Sequence, residues 1–354
     1  MSDPEDGALD PAPAGLRRRW VRLAVGTLVA VAAVWMAVST AGGPGDAASA
    51  VRDMSPVLVV VALLFAAARV ASFAVQLLWL ARRTGPLTAR TALGLALVVY
   101  GIGAVTPAAP LEGLALAAHE LRRRGRSAPQ ARMVCGFSEW FAQRTFYGLA
   151  ALDLALVVML GHVGWSDAWP LLIVAAVVVT ALVGTAVLAS RPASVVRVSR
   201  LLGALRLRRP HDHAEQDRVH DVATAEAWHA RAMTIVGPPS RRMRLAAVSA
   251  SAVLADTGTL WATCRAAGLH VHPELILLAQ VIGTVASWVP LLPGGFGVVE
   301  AAIPTVLHHF GAPLDGALAA TVVYRAAGTL LPAAAGAAVV VALRRAGPSV
   351  AAPA

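Results

Sequence analysis

The sequence contains no lysine and no asparagine, and only 14% of its 354 residues are charged and 5% aromatic. Soluble domains carry about 25% charged and about 45–50% apolar residues. With 57% hydrophobic residues, the chain is too apolar for an ordinary soluble domain. Its two cysteines, Cys135 and Cys264, both fall inside apolar runs. They read as small core residues with no disulfide framework, which excludes a disulfide-stapled scaffold. There is no phosphate-binding P-loop, no dinucleotide-binding glycine fingerprint and no nucleophile elbow; Gly101-Ile-Gly103 is two glycines in an apolar helix. His211, His213, His220 and His229 lie in a polar segment without cysteine partners. No metal site and no cofactor are expected from them.

The 30 basic residues are therefore all arginine, and the formal net charge is +10. A nucleic-acid binder sets its basic residues on a folded face among polar ones. Here they stand at the ends of apolar runs, in Arg17-Arg-Arg19, Arg82-Arg83, Arg122-Arg-Arg124, Arg241-Arg242 and Arg344-Arg345. That is the signature of cytoplasmic loops flanking membrane spans, with some attraction to anionic headgroups, and nucleic acid is not an expected partner.

A transmembrane helix needs about 20 mostly apolar residues. Val21–Ala41 supplies one such run after a basic cluster, placing the N-terminus in the cytoplasm. The preceding residues, 1–20, form an acidic, Pro/Ala-rich tail without the features of a cleaved signal peptide. Pro56–Leu80, Ala131–Leu160, Leu171–Ser190, Leu245–Gly268 and Gly316–Leu343 are further spans. The segment 191–244, with eleven arginines against five acidic residues, is the one long polar stretch and is assigned to the cytoplasm, as is the tail 344–354.

Two regions are too short to cross twice in full. Thr91–Val105 is followed by Thr106-Pro-Ala-Ala-Pro110 and Leu111–Leu121; Leu275–Val289 is followed by Pro290-Leu-Leu-Pro-Gly-Gly-Phe-Gly297 and Val298–Phe310. The flanking charges make each a re-entrant hairpin, the first (91–121) entering from the cytoplasm and the second (275–310) from outside. The two share a Pro-x-x-Pro break, Pro107/Pro110 against Pro290/Pro293, 183 residues apart. Interrupted helices in inverted repeats are a recurring transporter design, with the substrate near the breaks. The expectation is an all-α polytopic membrane protein of about six full transmembrane helices plus two opposed re-entrant helical hairpins. Its membrane halves, 21–190 and 245–343, are then related as an inverted repeat, with both termini cytoplasmic in a bacterial cell membrane.

The stretch Trp288-Val-Pro-Leu-Leu-Pro-Gly-Gly-Phe-Gly-Val-Val-Glu300, with Phe310-Gly-Ala-Pro313, Tyr324-Arg325, Leu331-Pro332 and Gly336, resembles the flippase-like transmembrane region of bacterial lysylphosphatidylglycerol synthases. The resemblance extends over Val21 to Leu343 and is specific over Trp288–Gly336. Pro110, Glu112 and Gly113 are similar to the break in the family's first half. The next span reads Ser138-Glu-Trp-Phe-Ala-Gln143, with Trp140 and Gln143 where the family carries Arg and Asp, and Arg144 follows one residue on. The resemblance implies movement of an aminoacylated phospholipid or another lipid-linked headgroup between leaflets. The aminoacyl-transfer domain of the full synthases has no counterpart in the eleven residues after Leu343. Synthesis of such a lipid is not expected of this chain.

Seven ionisable residues interrupt the apolar runs: Arg69, Glu139, Arg144, Asp153, Asp256, Glu300 and Arg325. Each costs about 2.5–3.5 kcal/mol near mid-bilayer, so they pair, snorkel or line a wet cavity. Arg69, Ser72 and Gln76 share one helical stripe, which points into the bundle. A structural pairing of Arg69 with a neighbouring carbonyl stands beside its reading as a ligand. Gly294, Gly295 and Gly297 permit positive φ and close approach, so N–H groups at the start of the Val298–Phe310 helix offer a phosphate site. Glu300, in the first turn, either binds a cation or steadies the helix terminus. Arg325 suits bidentate phosphate contact. The expected headgroup-binding set is Arg325, Glu300, Gly294, Gly295, Gly297, Arg69, Glu139 and Arg144, with membrane lipids as partners. Two rival readings remain: an accessory membrane protein of cell-envelope assembly that transports nothing, and a membrane-embedded transferase acting on a lipid-linked substrate.

Overall fold

The computed structural model describes residue 49 and residues 51–105, 110–162, 169–190, 230–287 and 295–345. The first expected span, Val21–Ala41, and most of the polar segment 191–244 lie outside these residues, as do Pro107, Pro290, Pro293 and Gly294. Every described element is helical. In chain order they are α1 (Pro56–Ala81), α2 (Ala89–Val105), α3 (Pro110–Arg123), α4 (Ala128–Met159) and α5 (Trp169–Ser190). After them come α6 (Pro239–Ala266), α7 (Pro273–Ser287), α8 (Val298–His309), α9 (Leu314–Arg325), a π-helical segment (Ala326–Leu330) and α10 (Leu331–Arg345).

Among the described residues, α1, α4, α6 and the stretch Leu314–Ala342 are long and apolar enough to cross a membrane, whereas α2 and α7 are shorter apolar helices. Large apolar side chains such as Val57, Leu64, Leu152 and Met159 face outward. A helix apolar on its outer face suits lipid, where every backbone group is already satisfied within the helix. The chain is a multi-pass membrane protein, all-helical among the described residues.

Sequence explains most helix starts. Proline, whose missing N–H is no loss in a first turn, opens α1, α6 and α7. α4 begins with a capping box in which Ser127 Oγ accepts from Gln130 N and Gln130 Oε1 accepts from Ser127 N. α6 begins at Pro239, six residues before the expected span, so its first turn belongs to the arginine-rich segment. The stretch expected as one span from Gly316 is one continuous candidate span, Leu314–Ala342, that contains the π segment, and Arg325 is the last residue before that segment.

Arg124, Arg126 and Arg241 gather at one end of the bundle. Arg126 donates to Thr84 Oγ1 and to the carbonyls of Gly85 and Pro86, Arg124 pairs with Glu120, and Arg241 donates to the Trp79 carbonyl. The opposite end joins the start of α1 to the end of α6 (Ser55 N to Ala266 O, 3.1 Å) and the end of α4 to the start of α7 through His162 and Glu274. The helix pair α2–α3 thus opens at the arginine-rich end, and the pair α7–α8 at the other. Each pair is tight. A Cβ on Gly113 would lie 2.6 Å from the Val99 carbonyl, and one on Gly283 would lie 2.7 Å from Ile303 Cγ1.

Within membranes, helices associate through close packing of small residues more than through apolar burial. α2 and α10 show this at Gly336, where a Cβ would stand 2.3 Å from the Leu97 carbonyl, and at Gly101, 2.7 Å from the Pro332 carbonyl. Two cores flank the crossing of α1 and α6. One, with Phe73, Leu77, Leu95, Leu121 and Met133, is built mainly by α1–α4; the other, with Leu260, Ile276, Ile303 and Leu307, by α6–α9.

Candidate functional site

α1 and α6 run antiparallel and pack along their length, so a polar stripe on one meets a polar stripe on the other. Gln76 Oε1 accepts from Ser249 Oγ (2.9 Å) while its amide donates to the Ser138 carbonyl (2.7 Å), and Ser72 meets Ser251 at 3.0 Å. The third rung is an ion pair, Arg69 Nη1 to Asp256 Oδ1, at 3.0 Å. The expected inward stripe of Arg69, Ser72 and Gln76 is therefore in contact with Asp256, Ser251 and Ser249.

This ion pair is the centre of a network drawn from six segments, α1, α2, α6, α7, α9 and the π segment. Asp256 Oδ2 accepts from Gln280 Nε2 of α7 (2.9 Å) and from the Tyr324 hydroxyl of α9 (3.3 Å). Thr257 donates to Gln280 Oε1, which holds that amide in place. Arg69 lies over the Tyr100 ring of α2, 4.5 Å from its centroid, and also donates to the Gly328 carbonyl (3.3 Å) in the π segment. A π turn displaces carbonyls from the regular ladder, which is why such segments recur at functional sites. Here one carbonyl is turned to a guanidinium.

A second ion pair lies on the same stretch. Arg325 Nε donates to Glu300 Oε1 at 2.8 Å, and its Nη1 donates to Thr329 Oγ1 of the π segment at 3.2 Å. The guanidinium stacks on Phe296, 4.7 Å from the ring centroid. Glu300 is nearly buried, with 4% of its side chain exposed, and its other oxygen accepts from Gly297 N at 2.7 Å. That last bond is the terminus-steadying role weighed for Glu300, and it engages one N–H that the sequence offered to a phosphate. Gly295 and Gly297 hold φ of +66° and +82°, as a break that only glycine tolerates well requires. A Cβ on Gly295 would stand 2.6 Å from Ser287 Cβ. Gly294 and the two Pro-x-x-Pro tips, apart from Pro110 at the start of α3, lie outside the described residues.

The two pairs are adjacent, since Tyr324 serves the first and Arg325 the second, and both reach into Ala326–Leu330. Buried, hydrogen-bonded ion pairs satisfy the burial cost of their members. What remains chemically available is exchange: a ligand that offers a phosphate and a cation can replace each partner without leaving the other unpaired.

The first-half candidates are less central. Glu139 accepts from Gln143 (2.6 Å) and is close enough to Tyr100 to act on it electrostatically. Arg144 stacks on Trp140, 4.7 Å from the ring centroid. Sequence reasoning flagged Asp256 as a costly acid but left it out of the binding set; it quoted Tyr324 only as part of the motif beside Arg325, and it missed Tyr100 and Gln280 altogether. A signal existed: the sequence has three tyrosines, and two of them touch the Arg69–Asp256 pair. A cavity of about 770 Å³ opens elsewhere, at the end of the bundle opposite Arg126 and Arg241, between Ser55, Arg265, His270, Phe310 and Asp315. Among the described residues no cluster of His, Cys, Asp and Glu is arranged to hold a metal ion.

The family described as lysylphosphatidylglycerol synthase TM region matches residues 20–336. No curated protein matches the chain.

Proposed function

The chain belongs to the lysylphosphatidylglycerol synthase TM region family, and from that premise we propose that it binds a phospholipid headgroup and translocates it across the cytoplasmic membrane. The observation that carries this reading is the two largely buried ion pairs, Arg69–Asp256 (22% and 15% exposed) and Arg325–Glu300 (13% and 4%), anchored to one π segment. Two cations held at depth inside a lipid-facing bundle mark a headgroup path better than a packing core. Each arginine already has a carboxylate. A purely anionic headgroup drawing off Arg325 would strand Glu300, and an unpaired buried charge costs about 3–5 kcal/mol. An aminoacylated or otherwise zwitterionic headgroup places phosphate on the guanidinium and ammonium on the carboxylate, and strands neither. That asymmetry favours the aminoacylated class.

In this reading α2–α3 and α7–α8 are re-entrant hairpins entering from opposite faces, and the two halves form an inverted repeat around the α1–α6 crossing. Their opposite openings and the reciprocal packing of α2 on α10 and α7 on α4 support it. The arginine-rich end is cytoplasmic by the charge rule, which puts both termini inside.

The test is lipid movement in vesicles reconstituted with the full chain, comparing fluorescent anionic, zwitterionic and aminoacylated phospholipids. Wild-type protein is expected to move the aminoacylated lipid fastest. Arg325→Lys keeps the charge and loses the planar fork, and is expected to reduce lipid retention in native mass spectrometry with expression intact. If wild-type protein moves no lipid above the empty-vesicle rate, the translocation reading fails and a non-transporting accessory role takes its place.

A further inference from the structure

The headgroup reading leaves one group of ionisable residues unused, where the end of α4 meets the start of α7. Glu274 Oε1 is 2.9 Å from His162 Nε2 and 3.8 Å from His272 Nδ1, and the two imidazole rings are 5.4 Å apart. Deeper on α4, Asp153 is 3% exposed, and its Oδ2 is buried with no hydrogen-bond partner among the described residues. The flanking Leu154 and Val157 pack on Leu275 and Leu278 of α7, and the Glu274 carboxylate is near enough to act on Asp153 electrostatically. Side-chain exposure falls inward along the set: 70% for His272, 24% for His162, 13% for Glu274, and then the buried Asp153.

We propose that Asp153 is a proton-binding carboxyl, exchanged with the end of the bundle opposite the arginines through His272, His162 and Glu274. The argument is one of charge. Buried ionised carboxylates are paired, or they take up a proton. The charged neighbour that acts on Asp153 is itself an acid, Glu274. α7 brings Glu274, the residues before it bring His272, and the turn after α4 brings His162. Phe310, in the same cluster, stacks on His309 at the end of α8. The α5 and α6 side chains packed around this stretch include Val174, Ala175, Val178 and Val253, none of which titrates. Acid–histidine chains that run from surface to interior are the membrane solution to moving protons. The balance is simple, since one proton enters as imidazolium, passes to a carboxylate and resides on the carboxyl. The site stands whether or not the lipid reading does; joined to that reading, it identifies a proton gradient as the drive for translocation.

Infrared difference spectroscopy on the purified full chain in nanodiscs tests it, following the carbonyl stretch of a protonated carboxyl with pH. A band that titrates is expected in wild-type protein and is lost in the near-isosteric Asp153→Asn. Glu274→Gln removes the neighbouring charge, so it should move the titration midpoint by about 1 pH unit or more, the scale of coupled sites. No band difference between wild type and Asp153→Asn overturns the proton site. A band whose midpoint ignores both Glu274→Gln and His272→Ala overturns the relay. Should Asp153→Asn fail to accumulate, the Glu274→Gln midpoint decides alone. None of these readouts involves lipid movement, so failure here is separable from failure of the headgroup reading.

Discussion

Replacing Arg69 with Met removes the cation from the Arg69–Asp256 pair while keeping an unbranched side chain of similar reach. Asp256 then retains Gln280 at 2.9 Å and Tyr324 at 3.3 Å but loses its counter-charge at 3.0 Å. The Gly328 carbonyl loses its donor as well. Removing one member of a buried pair typically costs about 3–5 kcal/mol, because the survivor is left uncompensated. At about 1.4 kcal/mol per factor of ten, that is roughly two to four orders of magnitude in the folded-to-unfolded ratio. Removing both members should be far milder, since an apolar pair of similar volume is often neutral. Arg69→Met, Asp256→Leu and the double variant therefore form a double-mutant cycle, read by the fraction surviving heat in fluorescence-detected size-exclusion chromatography. Each single variant should collapse early, and the double variant should approach wild type.

The cycle also separates stability from function. If the pair serves the headgroup, the double variant should fold and yet release the lipid that wild-type protein retains in native mass spectrometry. Arg69→Met surviving heat as well as wild type would refute the burial argument. A double variant that folds and still holds and moves lipid would make the network purely structural and shift attention to Arg325–Glu300.

Gly336→Ala should destabilise by about 1–3 kcal/mol, the cost of overpacking, because its Cβ would stand 2.3 Å from the Leu97 carbonyl. Gly136→Ala on α4, with nothing within 4 Å, is the control, and equal heat resistance of the two would contradict the α2–α10 contact. Gly295→Val should abolish lipid movement, since both φ of +66° and Ser287 exclude the side chain; wild-type rates in that variant would displace the site from the α7–α8 break. Cysteine at Arg122 should resist an impermeant thiol reagent in intact cells while cysteine at His270 reacts, and labelling of Arg122 from outside would reverse the orientation.

The helices were legible because lipid imposes a blunt rule: an apolar run long enough to span must close its own hydrogen bonds, and charge marks its ends. α1 and α4 fall within three residues of the expected spans for that reason. The π segment was not legible. Ala326-Ala-Gly-Thr-Leu330 holds no proline, and nothing in its local propensity requires an i→i+5 turn. Its stabilisation comes from outside, through Arg69 on Gly328 and Arg325 on Thr329, which are tertiary contacts that a one-dimensional pattern does not carry.

The site divides along the same line. Arg69, Glu300 and Arg325 declared themselves by the cost of a charge in an apolar run, and the cost is a local property of the sequence. Which acid meets which base is not local, since Arg69 and Asp256 stand 187 positions apart and Arg325 and Glu300 stand 25. Tyr100 and Gln280 were silent, and Tyr324 had no role beyond its place in the motif, for a different reason: uncharged polar side chains cost little to insert, so they draw notice only once an inward-facing carboxylate needs donors. Given Asp256 as a buried acid with one guanidinium, its second oxygen still demands partners, and the amide and phenol that meet it follow from that demand. A sequence reading that began from the unsatisfied oxygens of each buried acid, instead of from the charges themselves, would have searched for them. The same question put to the buried Oδ2 of Asp153 finds no donor among the described residues, and that difference between two inward-facing aspartates is the ground for reading Asp256 as a carboxylate held by its partners and Asp153 as the proposed proton site.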